Sequence, residues 1–487
     1  MLMVAQLQGT SVFVSAACSF DTVSVDTNPG FKITVNGDYK LLEDTVAQVS
    51  YGLYCDTQPS NVEGVDKWFK VPVSSVAIRT PMASGFIEAL GQRAKITAAE
   101  SPDTLTNICL DTEKLKSIAN GSIQDDKDVD VVFSSDADSD GKKSVRLPTD
   151  DTLEPLQKAE WIKFVSAFFN VEKTAGSLFT SISDSYNCHE SNLKNVKTLP
   201  HAYWVQYSET DGNKNYGILT TAYQKKLLAS AGATNETKEG LKTSDVNKFQ
   251  EAVKDANHVF DQTELTNNGL KVTEWYKDFG YKDPMNSGAD FLEQRQLWRT
   301  ELLTSKSGAN NFPEFAYVRP DIVLQDVISV MFPTYNSKYT RRWVSWLGGT
   351  NENTVVMSSE NFACSGTSWL VAVDKCTART DFVGEADPSD ETPDGDDKGK
   401  GKDDEKDGDE KDGDKKDGEE DDSNDSSSHG RGGKIAGGVV AGVAFIVLAF
   451  FGVHYYNKHR QHARLRSLSE GAYGNEHIGL QRTSHMS

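Results

Sequence analysis

The sequence predicts a mixed α/β fold in which two α/β lobes are joined by a single long helix, followed by a disordered acidic stalk and one transmembrane helix. Three observations carry this prediction. Segments typical of strands alternate with segments typical of helices on both sides of one amphipathic run at residues 153–180. Residues 383–433 are acidic and almost free of apolar side chains. Residues 435–453 form an uncharged apolar stretch.

The composition allows a large folded part and argues against nucleic-acid binding. The chain of 487 residues is long enough for two or three domains. Its net charge of −21 is concentrated in residues 385–425, where 21 Asp and Glu stand against 7 Lys, so this stretch contributes −14 and the rest −7. Binding nucleic acid without sequence preference needs a basic surface, which this composition does not offer.

Residues 434–456 are predicted to be a transmembrane helix. The 19 uncharged residues 435–453 would span about 28 Å, close to the roughly 30 Å apolar core of a bilayer. Four basic residues between positions 457 and 466 place the tail, 457–487, in the cytosol and the N-terminal part outside. The acidic stalk, 383–433, cannot bury enough apolar surface to fold. We therefore expect a single-pass type I protein of the plasma membrane or an endomembrane.

The N-terminal residues leave two alternatives open. Residues 1–28 are either a weak signal peptide or an N-terminal extension, because they lack a basic start and polar residues interrupt their apolar run. Export is nevertheless expected from the topology. Sequons at Asn120, Asn235 and Asn424 are candidate glycosylation sites and fit an exported glycoprotein.

All six cysteines precede the predicted span, which favours disulfides in an oxidising compartment over six buried thiols. Sequence spacing suggests one pair within the first lobe and one local pair after the second lobe. The candidate pairs are Cys55 with Cys109 and Cys364 with Cys376, while Cys18 either pairs with Cys188 or is removed with a signal peptide.

Residues 29–152 are predicted to form the N-terminal α/β lobe. Asn36-Gly37 follows an alternating apolar run and predicts a β-hairpin. A later strand runs to Arg79, and Pro81 is suited to begin the helix that follows.

The motif DADSDG at residues 136–141 matches the first half of an EF-hand loop. Leu147 stands at the twelfth position, where calcium requires a bidentate Glu, and Lys142 and Lys143 add positive charge. The flanking segments are typical of strands rather than helices. We therefore expect a polar hairpin tip and no calcium site.

Residues 153–180 are predicted to be one interlobe helix. Trp161, Phe164 and Phe168 belong to an apolar stripe with helical spacing, and Pro155 suits the first turn. A helix of this length would span about 42 Å. The stripe is expected to pack on the protein core and to contact no ligand.

Residues 181–347 are predicted to form the C-terminal α/β lobe, followed by a Cys-paired segment at 348–382. Strands are expected at 201–207 and 258–263. A helix is expected over residues 291–303, and another between Pro320 and Pro333.

Three segments together resemble the class III periplasmic binding proteins of the siderophore- and iron-complex-binding type, and their membrane-anchored relatives in fungi, oomycetes and algae. They are SVAIRTPMASGFIEALG at 75–91, PLQKAEWIKFVSAFFNVEKTA at 155–175 and AYVRPDIVLQDVISVMFP at 316–333. The resemblance extends from about residue 31 to residue 347. It implies the class III fold, with a largely preformed ligand site in the cleft between lobes that one rigid helix connects.

Candidate ligand-binding residues follow from that cleft and from the chemistry of Arg and aromatic side chains. Arg donors suit carboxylate- or hydroxamate-bearing iron complexes, a helix N-terminus favours anionic groups, and aromatic rings provide apolar walls. Structural packing is the competing explanation for most of these residues. The candidates are Arg79, Thr80, Met82, Tyr203, Trp204, Tyr207, Arg295, Trp298 and Arg319.

The sequence favours a chelated metal over a free metal ion as the ligand. His189, His201 and His258 are the only histidines before the stalk, which is few for a metal site built from protein alone. No tightly bound cofactor is expected, and iron or another metal would enter only as a chelate. Motifs of hydrolases and phosphate-binding enzymes are absent from the sequence, so no enzyme activity is expected.

The predicted function is a cell-surface receptor that captures a metal chelate, in particular a ferric siderophore, for uptake through an unknown partner. The alternative is a cell-surface adhesion or wall-associated protein that keeps the fold without binding a ligand. Bulky side chains filling the cleft would favour this alternative.

Overall fold

A computed structural model of the chain describes residues 19–119, 121–149, 151–234, 240–263, 271–349, 354–358, 360, 362, 364 and 372–384. Residues 1–18 of the predicted signal peptide or N-terminal extension lie outside this part of the chain, whereas residues 19–28 lie within it. The predicted glycosylation sites, nearly all of the stalk, the transmembrane helix and the cytosolic tail also lie outside it. Within it, no helix is both long and apolar enough to cross a membrane.

The N-terminal half begins with a four-stranded sheet in the order β1-β2-β3-β4. Its strands are β1 (Phe31–Asn36), β2 (Tyr39–Asp44), β3 (Val49–Tyr54) and β4 (Lys67–Lys70). Asn36 pairs with Tyr39 across a two-residue turn in which Gly37 has a φ of 62°. The predicted hairpin is therefore confirmed, because glycine adopts this left-handed conformation without strain.

A second sheet of the N-terminal half is entirely parallel, in the order β7-β6-β5-β8-β9. Its elements are β5 (Val76–Ile78), α1 (Pro81–Ala89), β6 (Ile96–Ala99), β7 (Lys116–Ser117), β8 (Val131–Ser134) and β9 (Ser144–Arg146). In a parallel sheet all carboxyl ends meet at one edge. The segments that follow these strands are therefore brought together.

The predicted interlobe helix is two helices, so the prediction of one continuous helix is wrong. These are α2 (Pro155–Ala167) and α3 (Glu172–Asn192). Asn170, between them, has a φ of 55°, a conformation that Asn tolerates but a helix does not. Lys40 donates a hydrogen bond to the Asn170 side chain and forms a buried ion pair with Glu172, the first residue of α3. A tertiary contact thus fixes the break.

The C-terminal half contains a mixed six-stranded sheet in the order β12-β11-β10-β13-β14-β16 and a parallel pair, β15-β17. Strands β10, β13 and β14 run parallel to one another. The strands are β10 (Ala202–Thr210), β11 (Asn213–Leu219), β12 (Lys242–Thr243), β13 (His258–Asp261), β14 (Leu297–Arg299), β15 (Leu303–Thr304), β16 (Ser345–Trp346) and β17 (Val355–Val356). The mixed α/β class with parallel strands is therefore confirmed in both halves.

The helices of the C-terminal half are α4 (Ala222–Ser230), α5 (Val246–Val253), α6 (Val272–Asp278), α7 (Asp290–Glu293), α8 (Phe312–Phe315) and α9 (Pro320–Met331). The helix predicted over 291–303 is wrong. The helix ends early, Arg295 takes a φ of 58°, and the next residues form β14 and then β15. All three residues of β14 are buried, and they pair with β13 and β16, so the sheet overrides the local preference.

One continuous apolar core extends through both halves. It includes Trp161, Phe164 and Phe168 of the predicted stripe, with Phe31 packed edge-on to Trp161 and Phe164. The helix α3 packs against both α2 and α9 and so connects the two halves. A smaller core lies under the C-terminal sheet. The described residues all belong to one compact unit.

The observed disulfides join distant segments. Cys109 is bonded to Cys364 and Cys188 to Cys376, with Cα–Cα distances of 5.2 and 6.0 Å. Cys55 also belongs to a disulfide. The predicted pairs Cys55–Cys109, Cys364–Cys376 and Cys18–Cys188 are therefore wrong. The fold separates residues that sequence spacing suggested as neighbours, and it brings the C-terminal segment back to the segment after β6 and to α3.

Candidate functional site at the junction of the two halves

Arg79 stands directly after β5, where the carboxyl ends of the parallel strands meet. Its guanidinium contacts Asp140 at 2.6 Å and Glu100 at 3.0 Å, and it donates to the backbone oxygens of Ile118 and Gly121. With a second bond to Asp140, all five of its donors are used. A ligand could therefore bind Arg79 only by displacing one of these partners.

The ion pairs around Arg79 shift the titration of its neighbours. The hydrogen bond to Asp140 raises the pKa of Arg79. Burial works to raise the pKa of Asp140, but hydrogen bonds from Arg79 and from the Ile123 amide outweigh it and lower that pKa. Burial raises the pKa of Glu100. Asp140 belongs to the DADSDG motif, so the motif supplies an internal partner for Arg79. The predicted hairpin tip is wrong, because the flanking strands β8 and β9 run parallel.

Thr80 and Met82 mark the start of α1, and both are buried. Thr80 has an extended backbone, and its side chain makes no capping hydrogen bond. The helix then approaches α8 very closely at Gly85, where an added Cβ would stand 2.0 Å from the Glu314 carbonyl oxygen. Only glycine permits this approach of the two backbones.

A buried hydrogen-bonded group, which we name the junction cluster, consists of Thr106, Asn311, Glu314 and Trp343. Glu314 Oε2 accepts two hydrogen bonds from Thr106, from its amide and its hydroxyl, both at 2.6 Å. Asn311 donates to the same hydroxyl, and the Trp343 indole donates to Asn311, both at 2.8 Å. The cluster therefore joins the segment after β6 to α8 and to the loop before β16.

Glu314 is the acidic residue of this cluster, and its pKa is shifted. Burial raises its pKa to about 7, against the hydrogen bonds from Thr106 that lower it, and the nearby charge of Glu88 adds to the rise. Glu88 itself pairs with Arg93 at 2.8 Å. A carboxyl group with a strongly shifted pKa is a common property of functional sites, although buried structural networks show it too.

The junction is also tied covalently. Cys109 lies three positions after Thr106 and is bonded to Cys364 of the C-terminal segment. Arg93 donates to the Cys364 carbonyl oxygen at 3.3 Å. These contacts hold the C-terminal segment beside α1 and the segment after β6.

The aromatic candidates on β10 lie mostly in the cores. Trp204 belongs to the main core and packs on Phe260, whereas Tyr203 lies in the smaller core on the other face of the sheet. Tyr207 is half-buried, and its hydroxyl donates to Glu209 at 2.6 Å. The structure therefore does not gather these three side chains on one open surface.

Arg295 and Trp298 come close together at the sheet edge beside β16. The Trp346 indole donates to the Arg295 carbonyl oxygen at 2.6 Å and stacks on Trp298 with ring centroids 6.0 Å apart. Arg341 lies over the Trp298 ring. Arg319, at the start of α9, is buried and contacts Asp321 through two hydrogen bonds of 2.8 Å. These candidates are packed in ways that explain them structurally.

A second ionic cluster, not predicted from the sequence, follows β13 and β14. Arg299 forms ion pairs with Asp261 and Glu301 and donates to the Thr263 carbonyl oxygen. Burial raises the pKa of Glu301. The available signal was a charged residue at the end of each of two neighbouring buried strands. Each half thus has one Arg held by two carboxylates at the carboxyl ends of parallel strands.

A cavity of 440 Å³ lies away from the junction, on the C-terminal half between α5 and residues 280–289. Its walls include Lys254, Lys282 and Tyr281, and none of the nine candidates lines it. Within the described ranges no three His, Cys, Asp or Glu side chains come together as a metal site.

No protein-family model matches the sequence, and no curated protein matches it. Solved structures are similar over about half of the chain. A periplasmic heme-binding protein of Vibrio cholerae is 11% identical with a TM-score of 0.41, covering 53% of this chain and 99% of its own. The Fe³⁺-hydroxamate ABC-type transport protein of Saccharomonospora viridis is 13% identical with a TM-score of 0.40, covering 55% and 96%. A Ni(II)-bound Helicobacter pylori protein is 12% identical with a TM-score of 0.39, covering 56% and 88%.

Proposed function

We propose that the chain is a non-enzymatic binding protein that captures a metal chelate, and more narrowly a ferric siderophore, at the junction of its two halves. The observation that carries this proposal is the meeting of strand carboxyl ends, the start of α1 and a buried polar cluster at one place. In α/β proteins this is where ligands bind. The resemblance of residues 31–347 to siderophore-binding proteins supports the ligand class.

The charges at the carboxyl ends of the strands in the two sheets favour an uncharged chelate. Arg79 is paired with two carboxylates, and Arg299 at the carboxyl ends of the other sheet is also paired with two. An anionic tricatecholate complex would meet surplus carboxylates there. A ferric trihydroxamate, in which three monoanionic groups neutralise Fe³⁺, would not be repelled. The proposed ligand is therefore of the hydroxamate type.

The resemblance implies a largely preformed site, but the two halves are in direct contact at the junction, so a ligand would require the junction to open. Glu314, Thr106 and Gly85 lie at direct contacts between the halves. We propose further that the binding part faces the outside of the plasma membrane or an endomembrane, as expected from the sequence. Surface biotinylation of intact cells tests that orientation.

The test is a fluorescence titration, which uses the buried tryptophans as reporters. Saturable quenching by a ferric trihydroxamate is expected, with weaker response to a ferric tricatecholate and to the iron-free hydroxamate. Arg79→Gln should weaken binding at least tenfold, whereas Arg295→Gln, on the sheet edge, should leave it unchanged. Loss of affinity in Arg295→Gln alone would move the site to that edge.

The second candidate is a cell-surface adhesion or wall-associated protein that keeps this fold without a ligand. The direct contacts across the junction favour it, and the cavity described above lies elsewhere on the molecule. If no chelate tested, heme included, shows saturable binding, the receptor proposal is refuted and this candidate remains.

A further inference from the structure

The contacts across the junction depend on one carboxyl group. Glu314 is 2% exposed, and its Oε2 receives both hydrogen bonds from Thr106. Within the described residues no Lys, Arg or His forms an ion pair with it. An ionised Glu314 is therefore a buried negative charge that hydrogen bonds stabilise but no cation neutralises, a costly arrangement.

The groups that face Glu314 from the packed elements add no compensating charge. From α1 come the Ser84 hydroxyl and Glu88, whose negative charge is shared with Arg93 and with the Asn107 amide. The segment after β6 contributes Thr106, which is uncharged. The negative charge of Glu88 on α1 thus opposes ionisation of Glu314, and Thr106 on the other side supplies only hydrogen bonds.

We propose that the junction cluster is a proton-controlled latch, in which the two halves hold together when Glu314 is protonated and separate more readily when it is ionised. This inference rests on the proposed function, because opening of the junction is the step that would admit a chelate. It adds the regulation of that step by pH.

The direction follows from the two states of the carboxyl group. In the closed junction the pKa of Glu314 is about 7, raised by burial from an ordinary value of 4.5 that solvent would restore on opening. Between these pH values the open state binds fewer protons, so raising the pH favours opening, by up to tenfold per pH unit. The total effect is roughly 300-fold, and it levels off above pH 7.

The amide of Thr106 reports directly on the latch, because it donates to Glu314. Residue-resolved hydrogen exchange on the intact protein, corrected for the intrinsic effect of pH, measures its opening constant. With the two pKa values above, that constant is expected to be roughly 70-fold larger at pH 8 than at pH 5. An unchanged constant in the wild-type protein would overturn the proposal.

Glu314→Gln keeps a hydrogen-bond acceptor and cannot ionise, so the pH dependence at Thr106 should disappear. Glu301→Gln is the matched control: Glu301 is also buried, but its partner Arg299 lies in the same half, so the dependence should remain. A pH dependence that survives in Glu314→Gln refutes the latch. If that variant does not fold, the wild-type profile still decides.

The experiments distinguish failure of the latch proposal from failure of the receptor proposal. Chelate binding with a pH-independent junction refutes the latch and leaves the proposed function intact. A pH-dependent junction without saturable chelate binding refutes the receptor and leaves the latch as a property of the fold.

Discussion

Replacing Lys40 by Met is expected to destabilise the fold strongly, because Lys40 is the buried cation that fixes the break between α2 and α3. Lys40 and Glu172 are both fully buried and form an ion pair, and Lys40 also donates to Asn170 at 3.4 Å. Methionine fills a similar volume but leaves the Glu172 carboxylate buried without a counter-charge. Breaking one side of such a pair costs roughly 3–5 kcal/mol.

That cost converts into a measurable melting shift. With an unfolding entropy of about 2.1 cal/mol/K per residue and about 350 folded residues, the midpoint Tm should fall by roughly 4–7 °C. Thermal unfolding followed by circular dichroism measures it. The matched control is Lys173→Met, because Lys173 is the next residue after Glu172 but is 78% exposed and pairs with Asp21 only at the surface. Exposed pairs contribute at most about 1 kcal/mol.

The double variant Lys40→Met/Glu172→Leu separates the ion pair from other effects of the lysine. Replacing both charges by apolar side chains removes the uncompensated carboxylate, so most of the lost stability should return. The reasoning is refuted if Lys40→Met lowers Tm no more than Lys173→Met does, or if the double variant is as unstable as the single one.

Two further outcomes are expected. Gly85→Ala would place a Cβ against the Glu314 backbone and should lower the free energy of unfolding by about 1–3 kcal/mol. Gly176→Ala is the control and should be close to neutral, because Gly176 lies inside α3 near only the Val23 side chain. Equal denaturation midpoints for the two variants would contradict this prediction. Burial lowers the pKa of His258 to about 4. The free energy of unfolding should therefore fall as the pH drops from about 6.5 to 4, by at most about 3 kcal/mol. Urea unfolding measures this pH profile, and an unchanged profile in a His258→Gln variant would contradict the prediction.

Elements set by short-range chemistry were predictable. The Asn36-Gly37 turn closes a hairpin as expected, and Pro81 begins α1 as expected. Both signals act within a few residues, through the left-handed conformation of glycine and the fixed φ of proline. The alternation of strands and helices similarly indicated the mixed α/β class.

Elements set by distant contacts were not predictable. The break at Asn170 depends on Lys40, which is 130 residues away in the sequence. The strand β14 carries an apolar pattern that also suits a helix, and only its place between β13 and β16 decides the matter. Six cysteines allow many pairings, so sequence spacing could not reveal that Cys109 and Cys188 bond to the C-terminal segment.

The site was predictable in part. Arg79 was expected at the carboxyl end of a strand, and it stands there. Its partners Glu100 and Asp140 follow neighbouring strands, β6 and β8, so only the parallel sheet brings them to the same guanidinium. Glu314 lies on a four-residue helix with no motif around it. Glu314 matters because it is buried against the other half of the protein, and no local sequence pattern indicates that burial.

The chemistry of the junction bears on the choice between a receptor and a ligand-free surface protein. An interface that serves only to hold two halves together is stable when it is apolar, because a buried carboxyl group costs free energy unless it is fully paired. Here a close approach of the two backbones, at Gly85, lies beside a carboxyl group that no Lys, Arg or His of the described residues neutralises. The Cys109–Cys364 disulfide keeps the C-terminal segment attached to the N-terminal half even when Glu314 loses Thr106. A permanent contact does not need both a buried carboxyl group and a disulfide. A contact that opens and recloses does benefit from them, because the hydrogen bonds to Glu314 can break and re-form while the disulfide keeps the segments together. The chelate titration and the hydrogen exchange of the Thr106 amide should therefore be measured on the same protein at the same pH.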